Sequence, residues 1–490
     1  MAGLPSAPPL SWKTRLLYAS GAAANTIKQR GLSLFLLIFY NQVVGLPAQM
    51  VATAIMIALI FDAFMDPTVG HISDNFRSRW GRRHPFMYTA ALPVAVAFAL
   101  IWNPPEGWSQ GAIFAYMLAC LLVIRLFDTF FELPSTALLP ELATDYDERT
   151  KLFALRSFFG ATGGLVMTLL AYQIFLKENP DGTGGVLARD GYLGYSLAAG
   201  AIIFTLILVS TAGTHSRIPY LSAPPKRRLT VRASVSEIAA TLGNRSFLVL
   251  AIAGMSIAVA SGVKGAMELY FMLYLWGFDQ NQLSILTIAG MICTFLGVGL
   301  ASPVAKWLGK KRAAIWMFAG AVITGLGPIF LRAMGLMPAN GTDLLFWTLF
   351  VNTVINDGMG VIVGIMVSAM IADVVEDAQV RTGRRSEGLL NSADNLFKKI
   401  VSGVGVFVAG TLLTVVHFPK GAKRGEVDPE LMRELALLYV PTNLTFYIIA
   451  FTLFWFYRID RTKHEDNLRT LREREAAEEA GEERIAGAAP

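Results

Sequence analysis

Charge is scarce in this sequence. Only 16% of its 490 residues are Asp, Glu, Lys or Arg, against 54% hydrophobic ones, and mean hydropathy is +0.49. Soluble domains carry roughly a quarter charged residues, so a water-soluble enzyme or scaffold is excluded. Cysteine is nearly missing: Cys120 and Cys293 each stand alone in an apolar run. That excludes a disulfide framework and matches no metal or redox spacing. No catalytic-triad order, zinc spacing, phosphate-binding loop or dinucleotide fingerprint occurs. The chain is not read as an enzyme, and no cofactor is implied.

What is abundant is the long apolar run, at about the 20 residues needed to cross a bilayer core as helix. Twelve spans are expected, near 15–43, 50–72, 86–103, 111–138, 153–176, 192–212, 246–276, 282–303, 313–333, 343–372, 388–416 and 435–457. The opening Met1 to Trp12 is short and Pro-rich, and no cleavage site follows it, so the first span is expected to stay. The net charge of +6 does not point to nucleic acid, because the basic residues sit in short loops between spans. The loops after spans 2, 6, 8 and 10 read RSRWGRRH, PKRRLTVR, KWLGKKR and VRTGRR, while those after spans 1, 3 and 7 have no Lys or Arg. By the positive-inside rule both termini are expected in the cytoplasm, with a bacterial cell membrane as the home. The basic loop after span 11, PKGAKRGEVDPELMRE, is the exception.

A polar stretch divides the chain into an N-terminal bundle over 1–213, a connector over 214–245, a C-terminal bundle over 246–457 and a charged tail over 458–490. The connector is expected to hold a short surface helix at Val235–Leu242. A weak repeat relates the halves: Gly70, Asp74 and Gly81-Arg82-Arg83 recur in pattern as Gly299, Pro303 and Gly309-Lys310-Lys311. The fold class is all-α membrane protein. Two pseudo-symmetric six-helix bundles around a midplane site make the major facilitator architecture.

Ionisable residues inside spans carry the functional information, since each costs about 2.5–3.5 kcal/mol at a helix centre. Asp62 and Asp66 in span 2 are four residues apart, which puts both carboxylates on one face about 6 Å apart. Such a pair does not stay doubly ionised without a cation, so it is read as a Na⁺ site or a proton carrier. Its bland alternative is helix packing through basic partners. In span 4, Thr129 and Glu132 face one way, while Asp128 is expected to pair with Arg125. Arg156 in span 5 is either a bidentate substrate ligand or a snorkelling arginine. Asp394, Lys398 and Lys399 lie in span 11, where at most one lysine faces the cavity squarely. Lys264 and Glu268 in span 7 are expected to neutralise each other. Asn356 and Asp357 in span 10 are further candidate contacts, and Lys28 and Arg30 in span 1 are less decisive.

Three segments resemble the glycoside–pentoside–hexuronide:cation symporter family, typified by melibiose permease. One runs from Asp62-Ala-Phe-Met-Asp66-Pro67 through Gly70, Asp74 and Gly81-Arg82-Arg83-His-Pro85. Another runs from Glu132-Leu-Pro134 through Pro140-Glu141 to Asp145 and Arg149-Thr150. The last runs from Ala372-Asp373 through Gly383-Arg384-Arg385 to Gly388 and leads into Lys399. The resemblance implies a cation site at Asp62, Asp66 and Thr129, with Lys399 near both ion and substrate. It implies substrate contacts from Arg156 and Glu132, and a monomer. The family's sugar-binding carboxylate in span 1 aligns with Thr26, its span-4 tryptophan with Thr136, and an asparagine beside the ion site with Met65. The expected function is Na⁺- or H⁺-coupled symport of a sugar or glycoside by alternating access. Asp74, Arg82, Arg83, Asp373, Arg384 and Arg385 are expected to latch the cytoplasmic side. The alternative is a lysophospholipid or other amphiphile.

Overall fold

The computed structural model describes residues 8–143, 145–179, 184–221, 245–382 and 387–456, with 469, 470 and 473. Twelve long helices run through these residues: α1 Trp12–Ile38, α2 Ala48–Asn75, α3 His84–Ile101, α4 Gln110–Leu142, α5 Tyr146–Leu170, α6 Asp190–His215, α7 Arg245–Tyr270, α8 Gln280–Leu308, α9 Lys310–Ala333, α10 Asp343–Thr382, α11 Glu387–Val415 and α12 Pro429–Phe456. Each coincides with a predicted span. The largest difference is α10, which continues through Thr382, about three turns past the apolar run. The connector's predicted helix, most of the charged tail, and Arg384 and Arg385 lie outside the described residues.

Eleven of these helices are long and apolar enough to cross a membrane. The remaining one, α1, carries Lys13, Arg15, Lys28 and Arg30. Of these only Lys28 is buried, where α1 is enclosed by α5 and α6 in its own half and meets α7 across the middle. Lipid offers no hydrophobic drive for helix association, so close approach depends on small residues. A Cβ on Gly163 of α5 would lie 2.5 Å from Ala23 Cβ of α1, and one on Gly410 of α11 would lie 2.4 Å from Ala52 Cβ of α2. The second contact joins the two halves.

Both halves also share a device at the end away from the basic loops. α1 closes in a π-helical turn, Phe39–Val43, and α7 in another, Phe271–Leu275. Beyond them, Leu46 N–H donates to the Tyr40 carbonyl at 2.8 Å and Phe278 N–H to the Met272 carbonyl at 2.9 Å. Gly45 and Gly277 make the turn at φ +85° and +67°, where only glycine sits without strain. The matched Phe39…Gly45-Leu46 and Phe271…Gly277-Phe278 are a second repeat that the sequence reading missed.

That end is where the halves are stitched. Gln42 takes the Ala422 N–H at 3.0 Å and donates to the Pro419 carbonyl at 3.1 Å, Tyr270 donates to Asn41 at 2.7 Å, and Gln173 reaches Ser284 at 2.7 Å. Arg424 pairs with Glu178 at 3.1 Å and donates to the Phe278 carbonyl at 3.3 Å. Arg424 of the exceptional basic loop is thus held in this clasp between the halves.

Candidate cation and substrate site

Four residues of α4 fall in one stripe: Arg125, Thr129, Glu132 and Thr136, at steps of four, three and four. This stripe faces α2, where Asp62 and Asp66 share a side. The Thr129 hydroxyl lies 3.3 Å from Asp62 Oδ1 and 3.1 Å from Asp66 Oδ1. From the other half, Lys399 Nζ on α11 reaches Asp62 Oδ2 at 3.1 Å and also bonds Asp66 Oδ2. Asp62, Asp66, Thr129 and Lys399 are therefore brought together as their sequence positions suggested. Asp62 is buried, whereas the Asp66 side chain keeps 25% of its surface exposed and that of Lys399 39%. The cluster is reachable through Asp66.

A short way along α4, Arg156 of α5 reads a second group. Its guanidinium donates to Glu132 Oε1 at 3.1 Å, Thr136 Oγ1 at 3.2 Å, Ser135 Oγ at 2.9 Å and the Tyr18 hydroxyl at 3.0 Å. These bonds turn Arg156 into the cluster, not out toward a snorkelling position. Glu132 Oε2 is buried without a hydrogen-bond partner, an acceptor left open beside a guanidinium. Thr26 makes none of these bonds: its hydroxyl bonds the Ala22 carbonyl at 3.1 Å, and it packs on Gly160 and Gly164 of α5, the turns after Arg156.

One expected pairing is corrected and another is enlarged. Asp128 pairs with Lys28 of α1, whose side chain is 1% exposed, not with Arg125. Arg125 instead lies 3.7 Å from Asp62 Oδ2 and bonds Gln29 Oε1 at 3.4 Å. Local spacing favoured Arg125–Asp128, but α1 delivers a lysine that the α4 sequence does not reveal. Lys264 keeps Glu268 within electrostatic reach and in addition meets Asn356 at 3.0 Å and Asp357 at 3.7 Å on α10, so the expected pair is part of a wider group. The side chain of Asp394 lies outside the described residues. Ser135, Tyr18 and Arg125 were not singled out as site residues; the α4 stripe was the available signal for Arg125. Across the site, carboxylates Asp62, Asp66, Asp128 and Glu132 are matched in number by Lys28, Arg125, Arg156 and Lys399. Buried charge is tolerable in that balance.

Among the described residues, the predicted latch residues Asp74, Arg82 and Arg83 pair within the first half. Glu141 at the end of α4 binds Arg82 and, at 2.9 Å, Arg83, which also meets Asp74 at 3.3 Å. In the second half Lys310 binds Asp373 at the matching place, 2.8 Å away. Gly81 and Gly309 both adopt positive φ, +74° and +77°, although eight residues join α2 to α3 and Gly309 alone joins α8 to α9. Glu141→Gln would leave Arg82 and Arg83 largely buried without their shared carboxylate. We expect it to cost about 3 kcal/mol, read as a lowered unfolding midpoint. An unchanged midpoint would mean that Asp74 alone compensates the pair. Lys310 is far more exposed than the arginines, and Lys310→Ala is expected to cost under about 1 kcal/mol.

Comparison with known proteins aligns most of the chain with proteins named as transporters. A family model described as MFS/sugar transport protein matches residues 17–461. A Synechocystis sp. protein named as an uncharacterized symporter is 27% identical, the alignment covering 96% of this chain and 98% of that one. The isoprimeverose transporter of Lactiplantibacillus pentosus is 22% identical over 96% of this chain and 93% of its own. Among solved structures, a mutant of the nucleoside transporter NupG superposes with a TM-score of 0.64 at 12% identity, covering 90% of this chain and 99% of that one; this likeness bears on the fold alone.

Proposed function

The chain belongs to the MFS/sugar transport family, and from that premise we propose that it couples a cation to the symport of a sugar or glycoside. It is a multi-pass membrane transporter with the major facilitator fold, not an enzyme. The observation that carries the coupling is Lys399: one ammonium from the second half bonds both Asp62 and Asp66 of the first. A cation entering at those carboxylates competes with Lys399 and so changes a contact between the halves. Binding of the ion is then linked to their relative movement, as alternating access requires.

Arg156, Glu132, Thr136, Ser135 and Tyr18 offer both donors and acceptors, which suits sugar hydroxyls. An amphiphile would want an apolar wall there, and the relatives are transporters of other solutes, so this alternative is set aside. The clasp closes one end of the molecule, and Asp66 and Lys399 remain partly exposed, which supports entry from the basic-loop end. We take that end, and both termini, as cytoplasmic, with the coupling ion H⁺ or Na⁺ and a monomer as the working unit. The test is uptake of a panel of radiolabelled glycosides into proteoliposomes under an imposed H⁺ or Na⁺ gradient. Accumulation of any glycoside only with a gradient supports the proposal; equal uptake with and without both gradients across the panel overturns it.

A further inference from the structure

The site holds a cation that the symport reading above does not use. Arg125 stands in the same stripe of α4 as Thr129, with its side chain 9% exposed, and lies 3.7 Å from Asp62 Oδ2. Gln29 of α1 accepts from it at 3.4 Å. An arginine does not lose its proton in a protein, and this one is enclosed between α1, α2 and α4. Lys399 differs in each respect: it is partly exposed, sits on a flexible stem, and arrives from the other half.

We propose that Arg125 sets the ion selectivity of the transporter by permanently compensating Asp62, so that alkali cations bind weakly. An entering ion can displace Lys399 but not Arg125. What is then open to it is the Asp66 carboxylate, the Thr129 hydroxyl, and a share of an Asp62 whose charge is already spent. The other charged groups around the pair do not restore the deficit. On α4, Asp128 is engaged by Lys28 and Glu132 by Arg156. A Na⁺ ion bridging both aspartates would complete only part of an oxygen shell and would stand beside a buried guanidinium. The inference rests on the proposed cation role of Asp62 and Asp66, and it names the residue that chooses among cations.

Binding of Na⁺ itself is the test, and it needs no substrate. Purified protein is titrated with NaCl against choline chloride at fixed pH and ionic strength, with unfolding temperature and tryptophan fluorescence as readouts. Arg125→Gln is expected to bind Na⁺ at least about 10-fold more tightly than the wild type, the low end of what a unit charge at this range does. Arg125→Lys keeps the charge and is expected to stay with the wild type. Equal Na⁺ affinity in wild type and Arg125→Gln overturns the proposal. Should Arg125→Gln fail to fold, Arg125→Met, which also removes the charge but fills the space with an apolar side chain, takes its place: Na⁺ affinity about 10-fold above the wild type supports the proposal, and equal affinity overturns it. The symport reading fails separately, by the absence of gradient-driven glycoside uptake, so the two failures are distinguishable.

Discussion

Asp66→Asn is expected to abolish concentrative uptake while leaving a folded, membrane-inserted protein that still exchanges substrate down its gradient. One monovalent cation falling through 100 mV supplies about 2.3 kcal/mol, enough for roughly 50-fold accumulation at one-to-one coupling. The variant should bring that ratio to about one. The change is nearly isosteric, and the amide oxygen can still accept from Thr129, now 3.1 Å from Asp66 Oδ1. Lys399 keeps Asp62 at 3.1 Å as counter-charge, so the contact between α2 and α11 survives without the exchangeable site. Asp62→Asn is the poorer experiment. Asp62 is the carboxylate nearest buried Arg125, and its loss would confound coupling with folding. Undiminished accumulation by Asp66→Asn, measured in proteoliposomes, would remove Asp66 from the cation site.

The second large effect concerns Arg156. Arg156→Ala removes four donors from one cluster and leaves Glu132 without its cation. Hydrogen bonds involving a charged group are worth about 1.5–3 kcal/mol each, and two of them lost to a substrate weaken binding by about 100-fold or more. The readout must separate affinity from stability, because these bonds also tie α4 and α1 to α5. A glycoside Kd raised about 100-fold, with partial recovery in Arg156→Lys, places Arg156 on the substrate. A lowered unfolding midpoint with unchanged Kd would make it a structural tie instead.

The membrane-spanning architecture was legible because it depends on composition and length. Runs of apolar residues must become helices in lipid, where every backbone polar group needs an internal partner. Twelve runs therefore became twelve helices. The charged members of the site were legible for the same reason: Asp62, Asp66, Lys399 and Arg156 are conspicuous in apolar surroundings. Where reading failed, it failed on partners. Arg125–Asp128 has good local spacing, yet Asp128 takes Lys28 from α1, and Lys264 meets Asn356 and Asp357 on α10 besides its neighbour Glu268. Spacing along one helix states which side chains can meet, but not what a neighbouring helix brings to the same place.

The sequence by itself determined that the chain lies in a membrane, where its helices fall, and which ionisable residues need explaining, since these follow from the cost of polar groups in hydrocarbon. Only the tertiary structure decided that Lys399 bridges the two aspartates across the halves, that Arg156 turns inward onto Glu132, and that the basic loop near Arg424 is a clasp. Each of those joins residues from different helices. Close packing at Gly163 and Gly410 sets how near the helices come, and that distance fixes which charge answers which.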